Sequence, residues 1–230
     1  MYNTLTAGLP QLELTLSEDT ARQLCAFGEA VVKQNEVMNL TAITQPDQVA
    51  KLHLLDSLSV LKTADLKGKR LIDVGCGAGF PGVPLKIACP GLELTLLDSL
   101  GKRMAWLEQI LPQLGVEAEC VTARAEEFAA KRREAYDFAT SRAVARLNIL
   151  LELTAPFVKV GGAVLAMKGS AAREELAEAK NAISKLGLQL EAVADFPVDG
   201  TAHSVIVLRK VRPTPAQYPR RYAKIKQSPL

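Results

Sequence analysis

The apolar positions of this chain change their period once. From Ser17 to Lys62 they recur at three- and four-residue steps (Leu24, Phe27, Val31, then Val49, Leu52, Leu55, Leu58), the spacing of helices with one buried face. Ser17-Glu18-Asp19 predicts the start of the first helix, with Ser17 as N-cap. The polar, β-branched stretch Asn35–Thr44 ends it, and a second helix is predicted over 46–62. Residues 1–16 read as extended or frayed. From Arg70 onward, short apolar runs alternate with helical patterns. Strands are predicted over 70–75, 93–98, 117–122, 136–141, 162–167, 188–194 and 203–210, and helices over 82–89, 101–113, 124–132, 146–158 and 171–186. That alternation predicts an α/β fold, doubly wound, with a mostly parallel seven-stranded sheet covered on both faces. The connection Phe196–Thr201 leaves no room for a parallel crossover, so the last two strands pair antiparallel or lie apart. The chain divides into a helical extension (1–66) packed on the core, a core (67–212) and a C-terminal tail (213–230), within one domain.

The sharpest local signal is Leu71–Pro84, LIDVGCGAGFPGVP. An apolar strand breaks at Gly75, and Gly77, Gly79 and Gly82 follow before the next helix. Glycines there let the backbone approach a ligand, and the helix N-terminus beyond them offers unpaired N–H groups. A dinucleotide fingerprint needs its third glycine three positions after the second, and Phe80 stands there instead. The spacing Asp73-x-Gly75-x-Gly77-x-Gly79 resembles the motif of class I S-adenosylmethionine-dependent methyltransferases. Asp98, closing the next apolar run 23 residues after Gly75, is placed to accept hydrogen bonds from both ribose hydroxyls of an adenosine. A βα turn without a ligand is the structural alternative, and the correctly placed acid weighs against it.

Composition narrows the class. The chain has 230 residues, 48% of them hydrophobic and 23% charged, as in a soluble globular protein. No apolar run reaches the roughly 18 residues of a membrane span, and the N-terminal stretch carries no export signal. Four scattered cysteines (Cys25, Cys76, Cys89, Cys120) and two distant histidines (His53, His203) argue for a reducing compartment and against a metal site. These features predict a cytoplasmic protein. The net charge of +3 conceals an asymmetry: residues 200–230 hold seven Lys/Arg and no acid, leaving 21 basic against 25 acidic side chains, a net −4, elsewhere. A basic end on an acidic body suggests a polyanionic partner, with a merely solubilising tail as the alternative.

Several motifs occur in a fixed order: Asn35-x-x-x-Asn39-Leu40-Thr41, His53-x-x-Asp56-Ser57-Leu58, Gly79-Phe80-Pro81-Gly82, Asp98-Ser99-x-x-Lys102-Arg103, Arg124-Ala125-Glu126, Ser141-Arg142-Ala143 with Arg146, and Tyr218-Pro219-Arg220-Arg221. Together they resemble the bacterial small-subunit ribosomal RNA guanine-N7 methyltransferases, also called the glucose-inhibited division protein B family. The resemblance implies a class I S-adenosylmethionine-dependent methyltransferase acting on ribosomal RNA, bare or assembled with protein. It implies Asp73, Gly75, Gly77, Gly79, Phe80, Asp98, Ser99, Ala125, Glu126 and Arg142 as cofactor-binding residues. Asp98 would hold the ribose, Ala125-Glu126 would lie beside the adenine, and Arg142 would be the catalytic residue at the reaction mouth. Arg146, Lys168, Arg220, Arg221 and Lys224 are the expected RNA contacts, the last three on a tail separate from the glycine loop. Each has a structural alternative: Phe80 as a core plug, Glu126 as a first-turn acid favoured by the helix dipole, Arg142 as a rim ion pair. For His53 and Asp56, one helical turn apart, a mutual hydrogen bond holding the extension is expected. Cys76 and Trp106 are expected as core.

The missing motifs bear on chemistry. Methylating carbon 5 of a pyrimidine needs a nucleophilic cysteine, and none lies in the 140–146 or 167–170 loops. Exocyclic adenine methylation would show an Asp/Asn-Pro-Pro-aromatic motif where Thr140-Ser141-Arg142-Ala143 stands. Guanine N7 has a lone pair and no proton to lose, so it needs no general base. Ribose 2′-O methylation, with Lys168 as the candidate base-activating residue, remains a rival, as do a non-catalytic RNA-binding assembly protein and an NAD-dependent oxidoreductase, the last weakened by Phe80.

Overall fold

The structure is a computed structural model and describes residues 1–198 and 200–230. Seven strands, β1 (Arg70–Val74), β2 (Glu93–Asp98), β3 (Glu119–Thr122), β4 (Tyr136–Arg142), β5 (Val158–Lys168), β6 (Leu188–Val198) and β7 (Thr201–Lys210), form one sheet in the order β3-β2-β1-β4-β5-β7-β6. Strands β1 to β5 run parallel, while β7 is antiparallel to both β5 and β6. The predicted antiparallel ending is therefore present; Asp199, in the expected loop, lies outside the described residues.

The central strands are largely apolar because both faces are buried, whereas the edge strands β3 and β6 carry exposed polar positions; the two-residue period sorts alternate side chains into two cores. Leu71, Leu165 and Val207 join Phe27, Leu54, Val83 and Leu107 on one face. Ile72, Val164, Ile206 and Leu208 join Leu151, Phe157 and Tyr136 on the other. Trp106 lies in the first core, as expected. The helical extension shares that core rather than forming its own. The helix Glu18–Met38, N-capped by the Ser17 hydroxyl accepting from the Thr20 N–H, inserts Leu24, Phe27 and Val31 into it. The second predicted helix is a continuous helical segment from Pro46 to Lys62 with a wide π-type turn over Ala50–Leu55.

Residues 1–16 depart from expectation. Tyr2–Gly8 is helical, Leu9–Leu12 continues as a tight turn, and Leu5, Leu9 and Leu12 are buried in the shared core. Gly8 and Pro10 disguise the helical spacing of those leucines. The glycine is required by contact: a Cβ at Gly8 would fall 2.2 Å from Leu55 Cδ1. Elsewhere, the predicted helix 171–186 is two short helices, Ala172–Glu178 and Lys180–Lys185. Strand β5 begins four residues earlier than expected. No described helix is long and apolar enough to cross a membrane.

Candidate active site

The sheet reverses its strand order between β1 and β4, and open α/β sheets bind ligands at the carboxyl ends of strands beside such a switch. A cavity of about 450 Å³ opens there. Its floor is the loop after β1. Gly75 and Gly77 adopt φ of +72° and +57°, a region costly for residues with a Cβ. The Gly75 and Cys76 N–H groups donate to the Leu97 carbonyl, which ties the loop to the end of β2. At Gly75 a Cβ would collide with Val144 at 2.5 Å, whereas at Gly77 a Cβ would meet only Arg103, at 3.9 Å, so Gly77 keeps the cradle open.

Asp98 faces that cradle. Its Oδ2 accepts from Gly77 N–H at 3.0 Å and its Oδ1 from Leu100 N–H at 2.8 Å. Each oxygen retains a second lone pair, so the fixed carboxylate is able to accept from a cis-diol. Ser99, Ala125, Glu126 and Phe80 line the same cavity, with Cys76, Ala78, Arg103 and Arg124. The dimensions suit a nucleoside-sized ligand, and the acid-plus-glycine cradle fits adenosine linked to a short polar chain.

Two motif residues lie behind the wall. Gly79 (φ +95°) packs against Val83, Leu107 and Phe27, where a Cβ would come within 2.8 Å of Val83. Asp73 is fully buried: its Oδ2 accepts from Gly82 N–H at 2.8 Å, and its Oδ1 has no partner among the described residues. Burial pushes its carboxyl up to about 7, against the opposing pull of the Gly82 N–H. Both shape the loop from beneath and do not line the cavity, a correction to their expected cofactor contact.

The opposite mouth is built around Arg142, at the end of β4. The turn there is tight, for Ala143 has a left-handed φ of +57°. The Arg142 guanidinium donates to the Leu52 carbonyl (2.8 Å), to Asp56 Oδ2 (3.0 Å) and to His53 Nδ1 (3.1 Å), and lies 5.2 Å from the Phe80 ring centroid. The Phe80 ring in turn stacks on His53 at 4.7 Å. Burial and the adjacent Arg142 push the His53 imidazole down to about 4, so it is neutral at physiological pH. Because a guanidinium only donates, the contact with Arg142 selects the tautomer protonated at Nε2, which donates to Thr41 Oγ1 at 2.8 Å and accepts at Nδ1; the Leu52 carbonyl, 3.1 Å from Nδ1, then accepts from Arg142 and not from His53. Asp56 completes the frame by accepting from His203 Nδ1 at 2.8 Å. The expected mutual bond between His53 and Asp56 is thus replaced by one in which both hold Arg142. His203, far along on β7, carried no sequence signal for this.

The expected RNA contacts separate. Arg146 bonds Glu174 and Glu178 at 2.8 and 2.7 Å. Lys168, nearly buried, bonds Glu175 Oε2 and the Ala145 carbonyl. Arg220 donates through its backbone N–H, Nε and Nη2 to Glu152, which is fully buried. Each of these three is thus ion-paired within the fold, Arg146 at the surface and the other two in largely buried positions. The side chains of Arg221, Lys224 and Lys226 make no hydrogen bond or ion pair among the described residues. The tail is not separate from the cofactor site either, because Tyr222 lines the cavity and its N–H donates to Glu126 Oε1 at 3.3 Å.

Among the described residues no group of three or more His, Cys, Asp or Glu is arranged to hold a metal ion. A family model described as rRNA small subunit methyltransferase G (GidB) matches residues 20–202. Proteins called ribosomal RNA small subunit methyltransferase G are similar over nearly the whole chain. The one from Alkaliphilus oremlandii is 42% identical, covering 100% of this chain and 99% of its own. The one from Desulfitobacterium hafniense is also 42% identical, covering 96% and 93%. Solved structures share the fold at low identity. An S-adenosylmethionine-dependent methyltransferase from Aquifex aeolicus matches with a TM-score of 0.53 and 18% identity over 71% of this chain and 93% of its own. M. jannaschii TYW2, in complex with S-adenosylmethionine, matches with 0.54 and 14% over 68% and 75%.

Proposed function

The chain belongs to the small-subunit ribosomal RNA methyltransferase G (GidB) family, and from that membership we propose that it transfers the methyl group of S-adenosylmethionine to N7 of a guanine in small-subunit ribosomal RNA. The sulfonium-bound methyl carbon that the cofactor supplies when bound is already electrophilic. What remains for the protein is to hold an in-line nucleophile about 3 Å away and to exclude water. The Gly75–Gly77 backbone and the Asp98 carboxylate hold the adenosine, with Ser99, Ala125 and Glu126 beside it. Arg142, oriented by Asp56 and His53, presents its remaining N–H groups to the guanine or to an adjacent phosphate. The reaction belongs in the cytoplasm, where ribosomal RNA is assembled.

The observation that supports the choice of N7 is the state of three candidate activating groups among the described residues, His53, Cys76 and Lys168. His53 is neutral, and its Nδ1 accepts from Arg142. The Cys76 thiol is buried and pushed well above its ordinary value, so it supplies no thiolate. Lys168, the candidate for 2′-O activation, is taken by Glu175. A guanine N7 lone pair needs none of these. Incubating the protein with isotopically methyl-labelled S-adenosylmethionine and undermethylated small-subunit RNA, bare or as particles, then analysing nucleosides by mass, is expected to give labelled 7-methylguanosine. Labelled 2′-O-methyl nucleoside or methyladenosine overturns the proposal.

A further inference from the structure

We propose that Tyr222 is an adenine-contacting residue of the cofactor pocket and that the segment 213–222 is a strap holding its ring there. This rests on the S-adenosylmethionine reading above and names a contact outside the glycine motif.

The strap is fastened along its length. The Thr214 hydroxyl donates to the Leu186 carbonyl at 2.9 Å. The Arg133 guanidinium collects three strap carbonyls, those of Thr214 (2.5 Å), Pro215 (3.0 Å) and Tyr218 (2.8 Å). Arg220 then closes on Glu152 through three hydrogen bonds of 2.9, 2.8 and 2.5 Å. Glu152 is fully buried, and a buried carboxylate deprived of its partner is strongly destabilising, so this anchor fixes the chain two residues before Tyr222. On the far side Ile225 is fully buried. Between these anchors the Tyr222 N–H reaches Glu126 Oε1, and Tyr222 lines the cavity with Ala123, Arg124 and Ala125. That is the loop after β3, across the cavity from Arg142 and adjoining Asp98. If Asp98 holds the ribose, the base extends to this side. An adenine has a flat π face, and a tyrosine ring, ordered at low entropic cost, is a suitable partner for one.

The test is calorimetric titration of the full chain with S-adenosylhomocysteine, which needs no turnover, using the parent, Tyr222→Ala, Tyr222→Phe and Asp98→Ala, with a melting temperature for each. Loss of a base–aromatic contact is expected to weaken Tyr222→Ala by about ten-fold or more, with Tyr222→Phe within about two-fold of the parent. Melting temperatures are expected to stay close to the parent's, because the Arg220 and Ile225 anchors remain. Parental affinity in Tyr222→Ala alongside weakened binding in Asp98→Ala overturns the strap's role and leaves the cofactor reading standing. Equal weakening in the Phe and Ala variants, with lowered melting temperatures, makes Tyr222 structural and also overturns it. A parent that does not bind S-adenosylhomocysteine overturns the cofactor reading, and the strap's role with it.

Discussion

The two ends of the cavity are built on different principles. At the Asp98 end the parts are close in sequence and mostly backbone: two glycines at positive φ, N–H groups of Gly77 and Leu100, and one carboxylate at the end of the adjacent strand. At the Arg142 end one guanidinium is held by side chains from distant stretches, His53 and Asp56 in the helical extension, with His203 on β7 steadying Asp56. The first end is specified by local conformational rules that any similar cofactor can use. The second exists only when the extension is docked on the sheet. Under the proposed function, the ribose end of the cofactor pocket falls to a local motif, and the reacting mouth to the tertiary fold.

The largest effect is expected where that tertiary frame is broken. Asp56 is buried, and replacing it with alanine leaves Arg142 without its carboxylate and His203 without its acceptor, at a cost of about 3–5 kcal/mol of folding stability. The His203 pKa is raised above its ordinary 6.5, chiefly by the hydrogen bond to Asp56. The contribution of that bridge is therefore whole below about pH 6.5 and is lost as pH rises through the raised value. Denaturation of parent and Asp56→Ala across pH 5.5–8.5 should show the gap narrowing toward the alkaline end. A constant gap would mean that His203 titrates independently of Asp56.

Next in size is Arg142→Ala, which separates the two ends directly. Single-turnover methyl transfer should fall by about 100-fold, the scale of lost positioning at a reacting centre, while affinity for S-adenosylhomocysteine changes little. Equal losses in both would place Arg142 in the cofactor end and erase the division.

Legibility in the sequence follows the same division. The sheet, its antiparallel ending and the Gly75–Asp98 pocket could be anticipated because each is encoded within a few residues: apolar alternation, glycine spacing, an acid closing a strand. Gly79 and Asp73 belong to the same motif, yet which glycine faces the cavity and which faces Val83 depends on packing. His203 and Tyr222 gave no signal, since their partners lie 147 and 96 residues away. Charge misled most. Counting cations toward the C-terminus says nothing about Glu152, Glu191 or the Ala155 and Val158 carbonyls that bind Arg220, Arg209 and Lys210 internally. The disguised leucines of residues 1–16 were missed for a related reason, as glycine and proline conceal a helix whose stability comes from its docking site.

At the local end, Asp98→Ala should weaken S-adenosylhomocysteine binding by about 1.5–3 kcal/mol, the worth of hydrogen bonds to a charged acceptor. Asp98→Asn should lie between the variants, since its single carbonyl oxygen replaces one acceptor of two. Titration calorimetry at constant salt measures both. Parental affinity in Asp98→Ala would remove the ribose assignment and with it the local character of this end.

The smallest effect concerns the surface beyond the strap. Arg221, Lys224 and Lys226 are the cations of the 213–230 segment whose side chains have no partner among the described residues, and they lie within four residues of Tyr222, which lines the cavity. A ribosomal RNA substrate lying across the mouth would bring its backbone to them. Each neutralised phosphate contributes about 0.7–0.9 to the slope of log affinity against log salt, so replacing all three with glutamine should flatten that slope by about 2 to 3. Arg220→Gln is a poor comparison, because it releases the strap from Glu152 and would disturb Tyr222 as well. The triple variant instead keeps both anchors, and its affinity for S-adenosylhomocysteine should equal the parent's. RNA binding measured at several salt concentrations then divides the segment's two tasks. A flattened slope with parental cofactor affinity assigns Tyr222 to the pocket and its neighbours to the RNA. An unchanged slope would leave the segment as cofactor wall alone, with RNA held by cations elsewhere on the rim such as Arg103 and Arg124.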